Sequence, residues 1–133
     1  MLINAPFNPI TRDVIGAGIE VHRVLGPGLL ESTYTTCLQY ELAARRMRFV
    51  AQQSVPIVYK GITLEPSYRV DLIVEDQVVV EVKSVERLLA VHEAQVLTYM
   101  RLTGRPAGLL MNFNVPKLVD GVKRLVNPKA GLA

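Results

Sequence analysis

The sequence predicts one α/β or α+β domain in which helices pack against a mixed β-sheet. Apolar residues recur at helical spacing as far as Met47, and from Phe49 onward they follow the shorter period of β-strands. A further helical segment at about 90–103 separates a strand hairpin from a late apolar strand at 107–113. A length of 133 residues fits a single domain, residues 1–133, with one hydrophobic core.

Two helices open the predicted order. An apolar stripe predicts the first helix at about 11–25, and Gly26-Pro27-Gly28 ends it. Gly18 lies on the same stripe, where a bare backbone would allow close packing against a neighbour. The second helix is predicted at about 30–47, and these residues lie at helical spacing along it: Tyr34, Cys37, Leu38 and Leu42.

The predicted strands follow the two helices. Residues 49–53 and 55–59 are strand-like, Lys60-Gly61 is a turn, and residues 62–64 are expected to pair back. A hairpin around Asp76 comes next, and then the helix at 90–103 and the buried strand at 107–113. Pro116 is expected to open a last helix that runs through Val126. The predicted order is therefore ααββββαβα.

Three charged side chains lie inside the apolar runs of the hairpin: Asp71, Glu81 and Lys83. A charge is costly in a strand that belongs to a core unless another group pairs with it. Glu81 and Lys83 are two residues apart, so both project from one face of a strand. A three-residue loop around Asp76 then places Asp71 opposite Glu81.

This register, in which Val74 also faces Val78, predicts a metal site. Directly opposed residues have Cβ atoms roughly 4.5–5.5 Å apart, so two carboxylates repel there unless a cation lies between them. Mg²⁺ is a hard ion that prefers oxygen ligands of this kind. The ordinary alternative is a surface salt bridge between Glu81 and Lys83, with Asp71 solvated at a strand edge.

Further polar residues could line the same site. Gln95 and Tyr99 are spaced i, i+4 on the predicted third helix and share a face, which His92 joins at i−3. An amide or a hydroxyl there could orient a phosphate or a water. The alternative is a solvated Gln95 and a half-buried Tyr99 that belongs to the core.

The segment from Gly28 to Tyr34 is a second candidate region. Glu31 is either an acidic residue that the dipole of its helix N-terminus stabilises, or a third acidic group that points toward the sheet. His22 lies on an apolar helix face, where a core histidine with a satisfied hydrogen bond is the commoner case. Tyr34 is expected to pack with its hydroxyl bonded to one partner.

Composition excludes several classes of protein. Half of the residues are hydrophobic, so disorder is not expected. The net charge of +3 and the pI of about 9.2 are compatible with a polyanionic partner. Cys37 is the single cysteine, which excludes an intrachain disulfide and favours a reducing, cytoplasmic location. No signal peptide and no apolar run of about 20 residues are expected, so no membrane association is predicted.

Several short motifs together resemble those of the small bacterial GxxExxY proteins. The resemblance extends from Val14 to Val126 and rests on these segments: Gly28-x-x-Glu31-x-x-Tyr34, Arg69-Val-Asp71-Leu-Ile-Val, Glu81-Val-Lys83, His92-Glu-Ala-Gln95-Val-Leu-Thr-Tyr99 and Gly108-Leu-Leu-Met-Asn-Phe-Asn-Val-Pro116. That family is placed in the PD-(D/E)XK nuclease superfamily. Val70 stands where the motif's name has proline, which is often absent in the superfamily.

The resemblance implies a restriction-endonuclease-like core. Its central four-stranded mixed sheet would be flanked by helices, in the order αβββαβ with additions. The resemblance also implies that Asp71 and Glu81 are ligands of Mg²⁺ or Mn²⁺, with the carbonyl of Val82 completing the metal shell.

The remaining catalytic roles are likewise implied by the resemblance. Lys83 would orient or activate a water. Glu31 would match a helix-borne acidic residue of the exonuclease-like branch and could support a second ion. Gln95 and Tyr99 would match the QxxxY element that follows the core motif.

The leading functional hypothesis is a Mg²⁺- or Mn²⁺-dependent nuclease that acts on nucleic acid, with DNA expected rather than RNA. The alternative is a non-catalytic module that binds nucleic acid or protein on the same fold. A small-molecule site on that fold is the third hypothesis, because the sequence shows no obvious basic groove. A chain of this size would cover little of a duplex alone, so a homodimer is also considered.

Overall fold

The computed structural model describes the backbone of residues 2–3 and the chain at 8–65 and 68–127. Three α-helices lie in these ranges: α1 (Pro9–Leu25), α2 (Glu31–Ala44) and α3 (Ala90–Thr103). Asn8 begins α1, because its side-chain oxygen accepts hydrogen bonds from the first free N–H groups of the helix. Gly104 ends α3 in the left-handed conformation that glycine adopts without strain.

Six strands form one mixed sheet. The strands of the described ranges are β1 (Leu2–Ile3), β2 (Phe49–Val55), β3 (Val58–Tyr59), β4 (Ile62–Thr63), β5 (Tyr68–Val74), β6 (Val78–Lys83), β7 (Ala107–Asn112) and β8 (Val122–Val126). The sheet order is β1-β8-β7-β6-β5-β2, and β3 and β4 form a separate hairpin. β6 and β7 are parallel, and α3 supplies the crossover connection that a parallel pair needs. The other neighbours are antiparallel.

The predicted fold class is confirmed. The order β7-β6-β5-β2 contains the four-stranded core that the resemblance implies, and β8 and β1 extend it to six strands. The register of the β5–β6 hairpin is also confirmed, because Val74 pairs with Val78. The third helix has the predicted bounds, and β3 and β4 pair as expected.

The predicted helix at 116–126 is wrong. A short 3-10 helix (Leu118–Gly121) leads directly into strand β8, which pairs with β7. The segment is too short for its apolar residues to distinguish a helical period from a strand period. The edge of β7 also provides hydrogen-bond partners, which a local sequence pattern does not show. The second helix is also shorter than predicted, since it ends at Ala44 instead of Met47.

Two apolar clusters cover the two faces of the sheet. The α1/α2 cluster packs the first two helices against one face and includes Leu72, Val80 and Met111. The α3 cluster packs α3 against the other face and includes Ile73 and Val79. The two faces therefore alternate from Leu72 to Val74 in β5 and along β6, as a strand period of two requires.

Gly18 allows α1 to lie close to the sheet, as the sequence predicts. A Cβ atom at this position would lie 2.5 Å from Cε of Met111, which is closer than real Cβ atoms approach a neighbour. A side chain at Gly18 would therefore have to displace the end of the Met111 side chain on β7.

Candidate active site

The strands β5 and β6 separate at the end of their hairpin, and two carboxyl groups occupy the space between them. Regular pairing runs from Val74 and Val78 at the loop to Leu72 and Val80. Beyond that pair, side chains provide the hydrogen bonds of the two strands. The N–H of Asp71 donates to Oε1 of Glu81 at 3.0 Å, and the N–H of Val82 donates to Oδ2 of Asp71 at 2.8 Å.

Burial and proximity change the acidity of both carboxyl groups. Glu81 is 4% exposed. Burial, and then the charge of Asp71, raise the pKa of Glu81 from its usual value to about 8. Burial also raises the pKa of Asp71, against a hydrogen bond from the Val82 N–H. Sharing of a proton with the Asp71 carboxyl group raises the pKa of Glu81 further, so the pair without a metal ion holds a proton near neutral pH.

A chain of hydrogen bonds connects the strand β6 to the helix α3. Nζ of Lys83 donates to Oε1 of Gln95 at 3.2 Å, and Nε2 of Gln95 donates to the hydroxyl of Tyr99 at 3.1 Å. The positive charge of Lys83 lowers the pKa of both Asp71 and Glu81. Burial and the charge of Glu81 raise the pKa of Tyr99. The structure therefore brings these five sequence-predicted residues into one cluster.

Comparison with known protein families identifies the superfamily of the chain. A sequence model of the PD-(D/E)XK nuclease superfamily matches residues 8–125. The chain belongs to the PD-(D/E)XK nuclease superfamily. The matched region contains Asp71 and the Glu81-Val-Lys83 triplet, with Val70 before Asp71. No curated protein and no solved structure matches the chain closely enough to add a named relative. Assignment to the GxxExxY group within the superfamily stays a prediction.

Glu31 lies at the edge of the site between β5 and β6, outside the hydrogen-bonded chain of Lys83, Gln95 and Tyr99. Its Oε2 accepts a hydrogen bond from the N–H of Ser84 at 3.2 Å, and Oγ of Ser84 donates to the carbonyl of Leu29 at 2.6 Å. The charge of Glu31 also raises the pKa of Asp71. The structure therefore combines the two alternatives that the sequence leaves open for Glu31. The residue lies in the first turn of α2, and its side chain faces the end of β6.

The glycine and the tyrosine of the Gly28-x-x-Glu31-x-x-Tyr34 motif support the same connection. Gly28 has a φ of 99°, a conformation that other residues rarely adopt. The fully buried hydroxyl of Tyr34 donates to the carbonyl of Gly26 at 2.5 Å and accepts from the N–H of Leu29 at 3.1 Å. The motif therefore holds the α1–α2 loop against the strand end that carries Lys83.

His22 and His92 have structural partners. Nε2 of His22 lies 2.7 Å from the carbonyl of Val115, on the α1/α2 side of the sheet, as expected for a satisfied core histidine. Nδ1 of His92 accepts a hydrogen bond from the N–H of Leu89 at the start of α3. Cys37 is half-buried and packs against the α1/α2 cluster.

Two residues beside the site were not predicted from the sequence. Asn112 is 1% exposed, and its amide accepts from the N–H of Val85 and donates to the carbonyl of Val85. It therefore anchors the loop that follows β6. Gln52 lies on β2 beside Asp71, where its side chain lowers the pKa of that carboxyl group. Neither residue can be identified from a local sequence pattern, because each acts on a residue from a distant part of the chain.

An apolar groove of about 460 Å³ adjoins the cluster on the α3 side. Gln95 and Tyr99 belong to its wall, which the hairpin β3–β4 and the start of β5 complete through Ile57, Leu64 and Tyr68. Gln95 and Tyr99 are therefore accessible to molecules that enter this groove.

The donor set fits a divalent cation that keeps part of its water shell. Asp71 and Glu81 share a proton that a cation could replace, and carboxylate oxygens suit Mg²⁺ and Mn²⁺. Among residues 8–65 and 68–127, no group of three or more His, Cys, Asp and Glu side chains could hold a metal ion. Mg²⁺ commonly binds through one or two carboxylates, and water or phosphate oxygens complete its shell.

None of the helices in the described part of the chain is both long and apolar enough to cross a membrane.

Proposed function

We propose that the protein is a divalent-metal-dependent nuclease that hydrolyses phosphodiester bonds of nucleic acid, with DNA as the expected substrate. The observation that supports the proposal most is the pair Asp71 and Glu81 between two separating strands, with the Lys83 charge acting on both. Membership of the PD-(D/E)XK nuclease superfamily supports the reaction class.

The residues of this cluster have distinct proposed roles. Asp71 and Glu81 would hold Mg²⁺ or Mn²⁺, together with the carbonyl of Val82. When bound, the ion would supply positive charge to the phosphate and make a nearby water more acidic. Lys83 would hold the attacking water, or offset the charge of the carboxylates once the shared proton has left.

The residues around the pair would orient the substrate. Gln95 already accepts a hydrogen bond from Lys83 and would position a phosphate oxygen or a water through its amide. Tyr99 would hold Gln95 in that orientation through its hydroxyl. Glu31 would act from the strand end, where its charge could support a second ion.

A cleavage assay with matched acidic variants tests the proposal. We expect the wild-type protein to cut single-stranded DNA, duplex DNA or RNA with Mg²⁺ or Mn²⁺ present. Asp71→Asn and Lys83→Ala should each lower the rate by about 100-fold or more, equivalent to about 2.7 kcal/mol of transition-state stabilisation. Asp76→Asn is the matched control, because Asp76 is an exposed acidic residue at the other end of the same hairpin.

Two outcomes would contradict the proposed nuclease. The first is an absence of cleavage of all three substrates with either ion. The second is cleavage that Asp71→Asn leaves unchanged, since a contaminating nuclease would then be the source.

A non-catalytic binding module is the alternative function. One oxygen of each carboxyl group already accepts a backbone N–H, which leaves fewer oxygens for a metal. Titration calorimetry with Mn²⁺ separates the two functions. Mn²⁺ binding that Asp71→Asn abolishes favours the nuclease, whereas no binding at millimolar Mn²⁺ favours the module.

A further inference from the structure

A buried asparagine ends the otherwise apolar strand β7. Asn112 is 1% exposed, and its register partner on the parallel strand β6 is Lys83. Both residues lie on the α3 side of the sheet, because they are an even number of positions from Leu110 and Val79, which belong to the α3 cluster. A buried amide is costly unless its polar atoms are hydrogen-bonded, so its partners show what it stabilises.

Both polar atoms of the Asn112 side chain have partners. Oδ1 accepts hydrogen bonds from the N–H of Val85 at 3.1 Å and the N–H of Asn114 at 3.2 Å, and Nδ2 donates to the carbonyl of Val85 at 3.0 Å. The amide therefore pairs with Val85 through one donor and one acceptor, as a backbone peptide group does in a sheet. It extends the pairing of β6 and β7 beyond the last register pair, Lys83 with Asn112.

The backbone from Lys83 to Val85 is held from two sides. On the β7 side, the N–H of Phe113 donates to the carbonyl of Lys83 at 2.9 Å, and the Asn112 amide then binds Val85. On the α2 side, the N–H of Ser84 donates to a carboxyl oxygen in the first turn of the helix. Three consecutive residues therefore have hydrogen bonds to other segments, at a strand end that would open locally without them.

We propose that Asn112 is a positioning residue that keeps the Lys83 side chain in place. Lysine carries its charge on a long, flexible stem, so a fixed backbone limits where the ammonium group can go. The Asn112 amide fixes the chain just beyond Lys83, and Nζ of Lys83 lies 3.2 Å from Oε1 of Gln95. The consequence for cleavage rests on the proposed function, whereas the position of Lys83 does not.

Matched substitutions separate the hydrogen bonds of the amide from its packing. Asn112→Leu and Asn112→Ala both remove the polar atoms, and only the first keeps a similar volume. Asn112→Asp is the conservative variant, because it keeps an oxygen that can accept the Val85 N–H. Asn127→Leu is the matched control, since Asn127 is also buried and its N–H donates to the carbonyl of Pro106, beside the opposite end of β7.

Nuclear magnetic resonance of the metal-free protein provides the first measurements. The Val85 amide should exchange roughly tenfold faster in Asn112→Leu and Asn112→Ala, as when a hydrogen bond of average strength is lost. The side-chain amide of Gln95 accepts from Lys83 and donates to Tyr99, so its resonances respond to the position of Lys83. Both variants should shift these resonances in the direction in which Lys83→Met shifts them.

The other variants distinguish anchoring of the loop after β6 from positioning of Lys83. Asn112→Asp should retain most of the protection of the Val85 amide and shift the Gln95 resonances less, and Asn127→Leu should change neither. If the Gln95 resonances stay unchanged in Asn112→Leu and Asn112→Ala, the proposal is wrong even when Val85 exchanges faster, because Asn112 then anchors the loop alone. Whichever of these two variants folds is sufficient for the test.

Single-turnover cleavage with Mg²⁺ or Mn²⁺ is the second measurement. Asn112→Leu should lower the rate about tenfold or more at saturating protein, because displacement of a reacting group by about 1 Å can cost roughly 100-fold. In a Lys83→Met background the same substitution should cause no further loss, since residues that act as a unit are not additive. An equal fold-loss in both backgrounds would overturn the positioning role while leaving the nuclease intact. Shifted Gln95 resonances in a protein that cuts no substrate would support the positioning role and contradict the nuclease.

Discussion

The two ends of the β5–β6 hairpin are built from adjacent residues but in opposite ways. At the loop end, Val74, Val78 and Val79 are buried and paired in a regular ladder. At the open end, the ladder stops and Asp71 and Glu81 replace backbone hydrogen bonds with side-chain ones. The apolar end stabilises the fold through burial. The charged end opposes folding once both carboxyl groups are ionised, because neither burial nor the like charge favours the ionised state.

The largest predicted effect concerns the apolar end. Leu72 is fully buried in the α1/α2 cluster, one residue from Asp71. Leu72→Ala removes buried methyl groups and leaves a cavity, so the free energy of unfolding should fall by about 2–5 kcal/mol. Urea denaturation measures this loss. The control is Leu102→Ala, since Leu102 is 41% exposed and its loss should change stability by about 0.5 kcal/mol or less. Equal losses in the two variants would remove the distinction between buried and exposed positions.

The second prediction concerns Glu81 at the charged end, where removal of the carboxyl group should raise stability instead of lowering it. The folded protein holds a proton on Glu81 up to a pKa of about 8, whereas the unfolded chain releases it near 4.5. Wild-type stability should therefore fall as the pH rises from about 4.5 to 8. Glu81→Gln cannot ionise, so it should be more stable than wild type by about 1–3 kcal/mol at pH 9 and should lack this slope.

Denaturation at several pH values, without metal ions, measures this prediction. Mn²⁺ should stabilise the wild-type protein increasingly as the pH rises, because a metal ligand must be deprotonated. The same ion should have little effect on Glu81→Gln. If Glu81→Gln is less stable than the wild-type protein at pH 9, the Glu81 carboxylate stabilises the fold and the prediction is wrong.

The third prediction concerns the cation at the open end. The charge of Lys83 lowers the pKa of Asp71 and Glu81, so it favours their ionised forms. Lys83→Met should therefore cost about 1 kcal/mol more stability at pH 9 than at pH 5. Lys117→Met is the control, because Lys117 is an exposed lysine on the loop after β7. A cost that is the same at both pH values would mean that Lys83 acts through packing and not through charge.

The sequence predicted the hairpin and its charges because both depend on local spacing. A period of two and a short loop determine which residues of β5 and β6 face each other, and the structure confirms that register. The helix α3 was predicted to its end residues, because Gly104 gives a clear stop signal. The same spacing placed Gln95 and Tyr99 on one helix face, and their hydrogen bond has that geometry.

Features that depend on distant contacts were not predicted. The local pattern predicts a helix where the structure has strand β8, because the pairing with β7 is absent from that pattern. The left-handed backbone of Gln52 is also not predicted, since glutamine has no preference for that conformation. The sequence can therefore identify the charged residues of the site, but not the strand pairing and backbone conformation around them.

The smallest predicted change in stability is that of Glu75→Gln, which makes at the loop end of the hairpin the same substitution as Glu81→Gln makes at the open end. Glu75, in the hairpin loop, forms an ion pair with Arg48, whose side chain is 88% exposed. Oε1 of Glu75 also accepts the Arg48 N–H, and a glutamine oxygen can do the same. Glu75→Gln should therefore lower the free energy of unfolding by about 0.5 kcal/mol or less, because exposed ion pairs contribute little. Urea denaturation at pH 9 compares it with Glu81→Gln: one change of atom, at two ends of one hairpin, should give opposite signs. If both variants lose stability to the same extent, the deeper burial of Glu81 does not distinguish it from Glu75, whose side chain is 24% exposed.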